Sequence, residues 1–99
     1  MEDKFLKDYF AKLKSLINFD EDTIQKLLNV KQILLSTKKD NKKGIIFGNG
    51  GSAAIASHFS VDITKNAKVR CVNFNESDLL TCFSNDFGYE HWVEKSIDY

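Results

Sequence analysis

One short segment limits the folds open to this chain more than any other. Residues 44–48 are an apolar run bounded by glycines, and the loop Gly48-Asn49-Gly50-Gly51-Ser52 follows directly. A helical pattern then covers residues 53–64. A short apolar run between glycines predicts a buried strand. The order strand, glycine-rich loop, helix predicts a parallel α/β fold, and residues 48–52 are called the glycine loop below.

The rest of the chain after the glycine loop repeats the same alternation. Residues 68–74 predict a second strand, and Asn75 or Ser77 would cap a third short helix. A turn at residues 84–88 would lead to a last helix over residues 90–99. Short connections predict parallel pairing with right-handed crossovers. Two strands cannot form a sheet with both faces covered, and no strand follows the last helix, so we expect the fold to be incomplete in this chain.

Two amphipathic helices precede the first strand. Apolar residues recur at helical spacing over residues 4–17 and again over residues 22–39, and the acidic connector from Asp20 to Asp22 suits the start of the second helix. These helices carry more apolar surface than half a sheet can cover, which predicts a partner subunit. We therefore expect a single domain, with residues 1–40 as a helical oligomerisation segment and residues 43–99 as the first part of the βα core.

Charge and composition exclude several functional classes. Lys plus Arg and Asp plus Glu number 14 each, so the chain lacks the basic surplus that nucleic-acid binding requires. The first ten residues lack the apolar core of a signal peptide, and no apolar run is long enough to cross a membrane. We expect a cytoplasmic protein without a membrane partner. Cys71 and Cys82 have no metal-site spacing and are predicted to be small core residues.

The glycine loop leaves three interpretations open when it is considered alone. Glycines and a helix N-terminus favour an anion, so a sugar or phosphate ligand is one interpretation. Gly48-x-Gly50-x-x-Ala53 also satisfies a dinucleotide fingerprint, with Glu76 near the position of a ribose-binding acid. The third interpretation is a tight turn without a ligand. Ser52 is a candidate N-cap whose hydroxyl could donate to a substrate oxygen.

Two polar pairs lie beyond the glycine loop. His58 and Asp62 are four residues apart on the following helix, so they share one face. They could be adjacent zinc ligands, or the carboxylate could be a general base, or they could form an ordinary surface pair. Asn85 and Asp86 could offer an amide and a carboxylate to sugar hydroxyls, or could simply form a turn before a helix.

Taken together, these motifs resemble one known family. The glycine loop with Ala53 and Ala54, then His58-Phe59, then the segment from Ser84 to Glu90 look like phosphoheptose isomerases, which contain the sugar isomerase (SIS) domain. The resemblance covers the whole chain and implies a flavodoxin-like parallel sheet flanked by helices, usually in a homotetramer. It implies interconversion of sedoheptulose 7-phosphate and a heptose 7-phosphate for bacterial surface polysaccharides such as lipopolysaccharide. It displaces the dinucleotide interpretation, so no nucleotide cofactor is expected.

The resemblance also implies roles for individual residues. Asp62 stands where the family has a glutamate that is both zinc ligand and catalytic base, and His58 matches a zinc ligand. The residues that match substrate contacts, or lie beside them, are Asn49, Gly50, Gly51, Ser52, Asn85 and Asp86. The family's serine-rich phosphate loop and its distal Gln and His belong to a C-terminal half that this chain lacks. We therefore expect half of a zinc and substrate site here.

The expected reaction is an aldose–ketose isomerisation through an enediol, with Asp62 as base and His58 as zinc ligand. Aspartate is one methylene shorter than glutamate, which withdraws the carboxylate from the substrate. A non-catalytic SIS module that binds a phosphosugar or a protein is the alternative, of the type that associates with the bacterial replication initiator. An inactive truncated fragment is the third hypothesis.

Overall fold

The computed structural model describes all 99 residues and shows an α-helical chain with one small parallel sheet. The chain divides into two compact units, Met1–Gln32 and Ile33–Tyr99. None of the helices combines the length and the apolar composition needed to cross a membrane. The elements in chain order are α1 (Glu2–Leu16), α2 (Glu21–Lys39), β1 (Gly44–Ile46), α3 (Gly51–Lys65), β2 (Cys71–Asn73), α4 (Ser77–Phe87), one 3₁₀ turn (Tyr89–His91) and α5 (Trp92–Ile97).

The first unit consists of α1 and the beginning of α2, and both predicted helices are confirmed to within two residues at each end. No side chain of α1 is buried. Lys4 Nζ lies 2.6 Å from Asp8 Oδ2 on its exposed surface. The rings of Phe5 and Tyr9 stack with their centroids 6.3 Å apart. Local contacts between residues four apart therefore hold this helix, and its apolar side chains remain exposed.

The acidic connector caps α2 as the sequence predicts. Asp20 Oδ1 accepts a hydrogen bond of 2.8 Å from the backbone N–H of Thr23. Hydrogen bonding from Thr23, first from its side chain and then from this backbone N–H, stabilises the charged carboxylate and lowers the pKa of Asp20 below its ordinary value. Glu21 and Asp22 add negative charge to the first turn. The start of α2 is thus fixed by a carboxylate at the positive end of the helix dipole.

The second unit contains the sheet, and its two strands pair in parallel as predicted. Ile45 lies opposite Val72, and each strand has only three ladder residues, fewer than the five and seven that the sequence predicts. The ladder ends before Phe47 and Phe74, whose rings stack at 6.0 Å. Aromatic contact between side chains continues the association of the two segments where the backbone pairing stops.

Helix α3 is attached to β2 through hydroxyl and amide side chains. Thr64 Oγ1 donates to the carbonyl oxygen of Cys71 and accepts from its N–H, at 3.0 and 3.1 Å. Asn73 Nδ2 donates to Ser60 Oγ at 2.9 Å, and Ser60 is buried together with Ala56. These bonds satisfy polar groups at the helix–strand contact and set the position of α3 along the sheet.

The segment after β2 differs from the prediction in three places. The carboxylate of Glu76, rather than Asn75 or Ser77, caps α4 by accepting from two backbone N–H groups, because its longer side chain reaches back over the first turn. The predicted turn at residues 84–88 is wrong, since α4 continues to Phe87 and ends only at Gly88, whose φ is +91°. The last helix begins with the 3₁₀ turn before α5.

The burial of Trp92 and of the two cysteines shows how far the core extends. Trp92 is only 5% exposed and meets the ring of Phe47 edge-on at 5.5 Å, which confirms it as a packing residue. Cys71 is partly buried in β2. The prediction of a buried Cys82 is wrong, because its position on α4 faces solvent. Its thiol donates to Asp86 Oδ2 at 3.5 Å, and the carboxylate raises the pKa of Cys82.

Candidate functional site

The glycine loop connects the end of β1 to the start of α3 in a tight backbone path. A Cβ atom at Gly48 would lie 2.2 Å from the carbonyl oxygen of Ser52, so no larger residue fits there without moving the backbone. Gly50 has φ of +59°, a conformation that side chains disfavour. A Cβ at Gly51 would meet nothing within 4 Å. Two of the three glycines are therefore required by the local geometry.

Ser52 stabilises the loop from within rather than capping the helix. Its Oγ accepts a hydrogen bond from the N–H of Asn49 and donates one to the carbonyl oxygen of Asn49, both at 2.8 Å. The N-cap position belongs to Gly50, and Ser52 is the second residue of α3. The predicted N-cap role of Ser52 is thus wrong. Its one hydroxyl proton is already engaged, so Ser52 holds the shape of the loop.

The backbone of the glycine loop offers hydrogen-bond donors to solvent. The N–H groups of Ser52 and Ala53 donate back to Asn49 and Gly50 within the turn. Gly50 and Gly51 are exposed at the first positions of α3, where backbone N–H groups have no partner within a helix. The helix dipole adds partial positive charge at the same point. This arrangement suits a phosphate or another oxygen-rich anion.

Tyr89 contributes to the loop in a way that the sequence did not reveal. Its Oη donates a hydrogen bond of 2.7 Å to Asn49 Oδ1, although the two residues are 40 positions apart. In the sequence, Tyr89 is only one member of the segment from Ser84 to Glu90, and no pattern connects it to the loop. A cleft of about 400 Å³ lies between the loop and this segment, with Phe47, Asn49 and Trp92 among its walls. Only the fold brings Tyr89 to the loop.

His58 and Asp62 lie together on α3, as the spacing predicts. His58 Nε2 is 3.6 Å from Asp62 Oδ2, and the side chains are 79% and 53% exposed. Helix geometry places Asp62 roughly 16 Å further along the axis than Gly51, at about 1.5 Å per residue. The glycine loop therefore lies at the start of α3, whereas the His58–Asp62 pair lies further along the same helix.

The pair fits part of a zinc site. Two neighbouring ligands of a tetrahedral zinc, each about 2.0–2.1 Å from the metal, lie about 3.3 Å apart. The separation between His58 Nε2 and Asp62 Oδ2 is close to that value. No group of three or more His, Cys, Asp or Glu side chains converges anywhere in the chain. The chain thus supplies two suitable donors, and a complete site would need ligands from outside these 99 residues.

Asn85 and Asp86 lie in the last turn of α4 rather than in an open turn. Asn85 Nδ2 donates to Asp86 Oδ1 at 3.3 Å, and Asp86 also accepts from the thiol of Cys82. Both residues are exposed. None of the hydrogen bonds in the chain joins them to the glycine loop or to His58 and Asp62. The structure keeps the predicted residues in three groups, and Tyr89 alone links the loop to the segment that follows α4.

Fold and loop together define a parallel α/β protein with an anion-type loop at the carboxyl end of its first strand. Comparison with curated proteins narrows this class, because the chain is similar to phosphoheptose isomerases. It is 26% identical over 104 residues to that of Aliarcobacter butzleri, with 99% of this chain and 55% of the relative aligned. Phosphoheptose isomerase of Helicobacter pylori strain 26695 is 29% identical, with 99% and 55% aligned.

A third phosphoheptose isomerase is similar at a somewhat higher identity over a shorter stretch. Phosphoheptose isomerase of Sodalis glossinidius is 31% identical over 93 residues, which cover 87% of this chain and 48% of the relative. The chain spans about half the length of the curated relatives it matches. No family model and no solved structure matches the chain. The resemblance that the motifs predict is therefore confirmed, and it involves a part of those proteins.

Proposed function

We propose that this chain forms part of a sugar-phosphate isomerase that acts on sedoheptulose 7-phosphate or a related sugar phosphate. The observation that carries the proposal is the similarity to phosphoheptose isomerases along nearly the whole chain. The glycine loop supports it, because exposed N–H donors at a helix N-terminus suit a phosphorylated sugar. The product would supply heptose for bacterial surface polysaccharides.

The substrate contacts follow from the chemistry of the exposed groups. Gly50 and Gly51 would donate backbone N–H groups to substrate oxygens, and the amide of Asn49 lies beside them. Asn85 and Asp86 would hold sugar hydroxyls, since an amide and a carboxylate can each bond an O–H group. Ser52 would act indirectly by keeping the loop in its shape.

Isomerisation requires one proton to move between adjacent carbons. In the proposed reaction, the Asp62 carboxylate removes the proton next to the carbonyl, and the electron pair forms an enediolate. The same carboxylic acid returns the proton to the neighbouring carbon, while the hydroxyl proton on the first carbon moves to the former carbonyl oxygen, which completes the change from ketose to aldose. His58 would orient Asp62 from 3.6 Å away. A zinc ion held by both side chains and by outside ligands would supply polarisation of the carbonyl.

Association of several copies belongs to the same proposal. Helix α1 exposes Phe5, Tyr9 and Phe10 along with three further large apolar side chains. An exposed apolar surface of this extent is usually a site of interaction with another protein rather than a surface that stays in contact with water. A homotetramer built through the N-terminal helices would cover it.

The test separates binding from chemistry. The test uses a protein in which this chain is joined to the remaining site residues. There, Asp62→Asn keeps the size of the side chain but removes the base, so we expect loss of at least a hundredfold in conversion of sedoheptulose 7-phosphate, with binding within about threefold of wild type. Binding would be measured from amide chemical shifts and conversion by chromatography of the product. Asp40→Asn, at the exposed end of α2, is the matched control and should change neither quantity.

The outcomes also address the second candidate, a non-catalytic SIS module that binds a phosphosugar or a protein. The aspartate at position 62, where the resembling family has a glutamate, favours this candidate, because the shorter side chain withdraws the carboxylate from the substrate. Saturable binding without conversion, in a protein that joins this chain to the remaining site residues, would support it over the isomerase. Near-normal conversion by Asp62→Asn would remove Asp62 from its role as base. Absence of both binding and conversion would contradict the sugar-phosphate proposal itself and favour an inactive fragment.

A further inference from the structure

The hydrogen bond between Tyr89 and Asn49 connects two parts of the chain that the proposed function treats separately. Tyr89 begins the 3₁₀ turn after α4, whereas Asn49 lies in the glycine loop after β1. Tyr89 Oη and Asn49 Oδ1 are 2.7 Å apart, a normal length for a hydrogen bond between a hydroxyl donor and an oxygen acceptor. The proposed substrate contacts include Asn49, but they give Tyr89 no role.

Both ends of this hydrogen bond are anchored to the same aromatic contact. Phe47 precedes Asn49 by two residues, and Trp92 follows Tyr89 by three. The Phe47 and Trp92 rings meet edge-on at 5.5 Å, and Trp92 is almost completely buried. Tyr89 and Asn49 are themselves exposed, and the packed Phe47–Trp92 pair holds together the two backbone segments that carry them.

The bond decides which face of the Asn49 amide is available. An amide has one oxygen that accepts and one nitrogen that carries two donating hydrogens. Because the Asn49 oxygen accepts from Tyr89, it is turned toward that residue, whereas no hydrogen bond within the chain uses the amide nitrogen. The neighbouring backbone groups of Gly50 and Gly51 are also donors. The exposed side of the glycine loop is thus made of donors, which selects acceptor oxygens such as those of a phosphate or a carbonyl.

We propose that Tyr89 is a positioning residue that holds the Asn49 amide with its nitrogen toward the substrate, so that the loop selects acceptor oxygens of a sugar phosphate. The inference rests on the proposed function for the identity of the ligand. The hydrogen bond itself exists without a ligand and can be tested separately. Without the tyrosine hydroxyl, the amide could rotate and present its oxygen, which would repel a phosphate oxygen.

The first experiment uses the ligand-free chain. Tyr89→Phe removes one hydroxyl and keeps the ring, and Tyr99→Phe is the matched control at an exposed position outside the cleft. We expect Tyr89→Phe to shift the side-chain Nδ2H₂ signals of Asn49 in a ¹⁵N spectrum, and Tyr99→Phe to leave them unchanged. Unchanged Asn49 signals in Tyr89→Phe would overturn the positioning role, whatever the chain binds.

The second experiment titrates sedoheptulose 7-phosphate into the same variants. Loss of one hydrogen bond should raise the Kd of Tyr89→Phe about fivefold, and Tyr99→Phe should bind like the wild type. In an Asn49→Ala background, Tyr89→Phe should add no further loss, because its effect passes through the amide. An equal loss in both backgrounds would overturn the positioning role and assign Tyr89 a direct or purely structural one.

The two experiments separate the two proposals. Shifted Asn49 signals in Tyr89→Phe, together with no binding of sedoheptulose 7-phosphate by the wild type, would overturn the proposed function and the selection of acceptor oxygens with it. Unshifted signals together with normal wild-type binding would overturn only the role of Tyr89.

Asn49→Asp gives an independent check, since it replaces the donor with an acceptor and should weaken binding more than tenfold. Wild-type affinity in Asn49→Asp would contradict the donor role.

Discussion

The two units of this chain are stabilised in different ways. In Met1–Gln32 no side chain is buried, and the interactions are ion pairs, ring contacts and a cap between residues close in sequence. In Ile33–Tyr99 the buried residues are brought together from distant positions, with Ala56, Val69 and Trp92 forming a small apolar core. The first unit is therefore a product of local helix preferences, whereas the second depends on packing between elements.

The difference assigns separate roles to the two units. The glycine loop, the His58–Asp62 pair and the Tyr89–Asn49 bond all belong to the second unit, where the core can hold a polar group in place. The first unit contributes exposed apolar surface but contains none of the candidate site residues. Substitutions in the two units should consequently affect different measurements, and the following predictions run from the largest expected effect to the smallest.

The largest effect is expected from removal of the central ring of the second unit. Trp92→Ala deletes a buried aromatic side chain, which costs about 3–5 kcal/mol in a packed core. Small domains are stable by only about 5–15 kcal/mol, so the variant should lose most of its cooperative unfolding. Urea unfolding followed by circular dichroism measures this loss.

Phe5→Ala provides the control for Trp92→Ala from the first unit. Phe5 is 67% exposed in the single chain, so at concentrations where the chain is monomeric its truncation should change the free energy of unfolding by no more than about 0.5 kcal/mol. Similar destabilisation by the two substitutions would contradict the distinction between a packed unit and a locally stabilised one.

The second prediction concerns the backbone of the glycine loop. Gly48→Ala would place a methyl group 2.2 Å from the carbonyl oxygen of Ser52, so the loop must move. We expect a loss of about 1–3 kcal/mol, as for other overpacked sites, and binding of sedoheptulose 7-phosphate weakened more than tenfold. Calorimetric unfolding and the titration described above measure the two quantities.

Gly51→Ala is the matched control within the same loop. A Cβ at Gly51 meets no atom within 4 Å, and alanine favours the first turn of a helix more than glycine does. This variant should be as stable as the wild type or slightly more so. Equal damage from the two substitutions would show that the tight contact at Gly48 does not govern the loop.

The smallest effect is expected at the start of α2. Asp20→Ala removes the hydrogen bond to the Thr23 N–H and should lower the Tm of the helical unit by about 5 °C at neutral pH. The hydrogen bond lowers the pKa of Asp20 in the folded chain, so the stabilisation is present above its ordinary pKa of 3.8 and is lost as the pH falls through the lower folded value.

A pH series of thermal melts by circular dichroism checks the prediction for Asp20. The difference between the wild type and Asp20→Ala should shrink below about pH 3.8. Asp20→Asn keeps a capping oxygen without the charge, so its helix should be close to wild type in stability and independent of pH in this range. A constant difference at all pH values would assign the cap to some other group.

Much of the fold could be predicted because its signals are local. The spacing of apolar residues predicted both N-terminal helices. The apolar runs at residues 44–48 and 68–74 predicted both strands, and the short strand–helix connections predicted their parallel pairing. The errors lie where several cap residues compete or where a helix meets a turn signal. Asn75, Glu76 and Ser77 are all able to cap α4, and Asn85-Asp86 resembles a turn although the preceding helix continues through it. The prediction that Cys82 is buried was wrong for a related reason, because burial of this residue depends on which face of α4 the core covers.

The candidate site was predictable only in part. The glycine loop follows from its position between a strand and a helix, and the His58–Asp62 pair follows from spacing along one helix, since residues four apart must share a face. Whether these residues bind a sugar phosphate or zinc stays a prediction. The hydrogen bond between Tyr89 and Asn49 could not be predicted, because the two residues are 40 positions apart and no sequence pattern indicates that they meet.

The sequence by itself determined the order of the elements, the glycine loop and the positions of the helices, because helical periodicity, glycine conformations and caps act over a few residues. Only the tertiary structure decided that Trp92 packs against Phe47 and that the Tyr89 hydroxyl donates to the Asn49 amide. These contacts depend on where β1, α3 and the end of α4 lie in space, and packing between distant elements sets those positions.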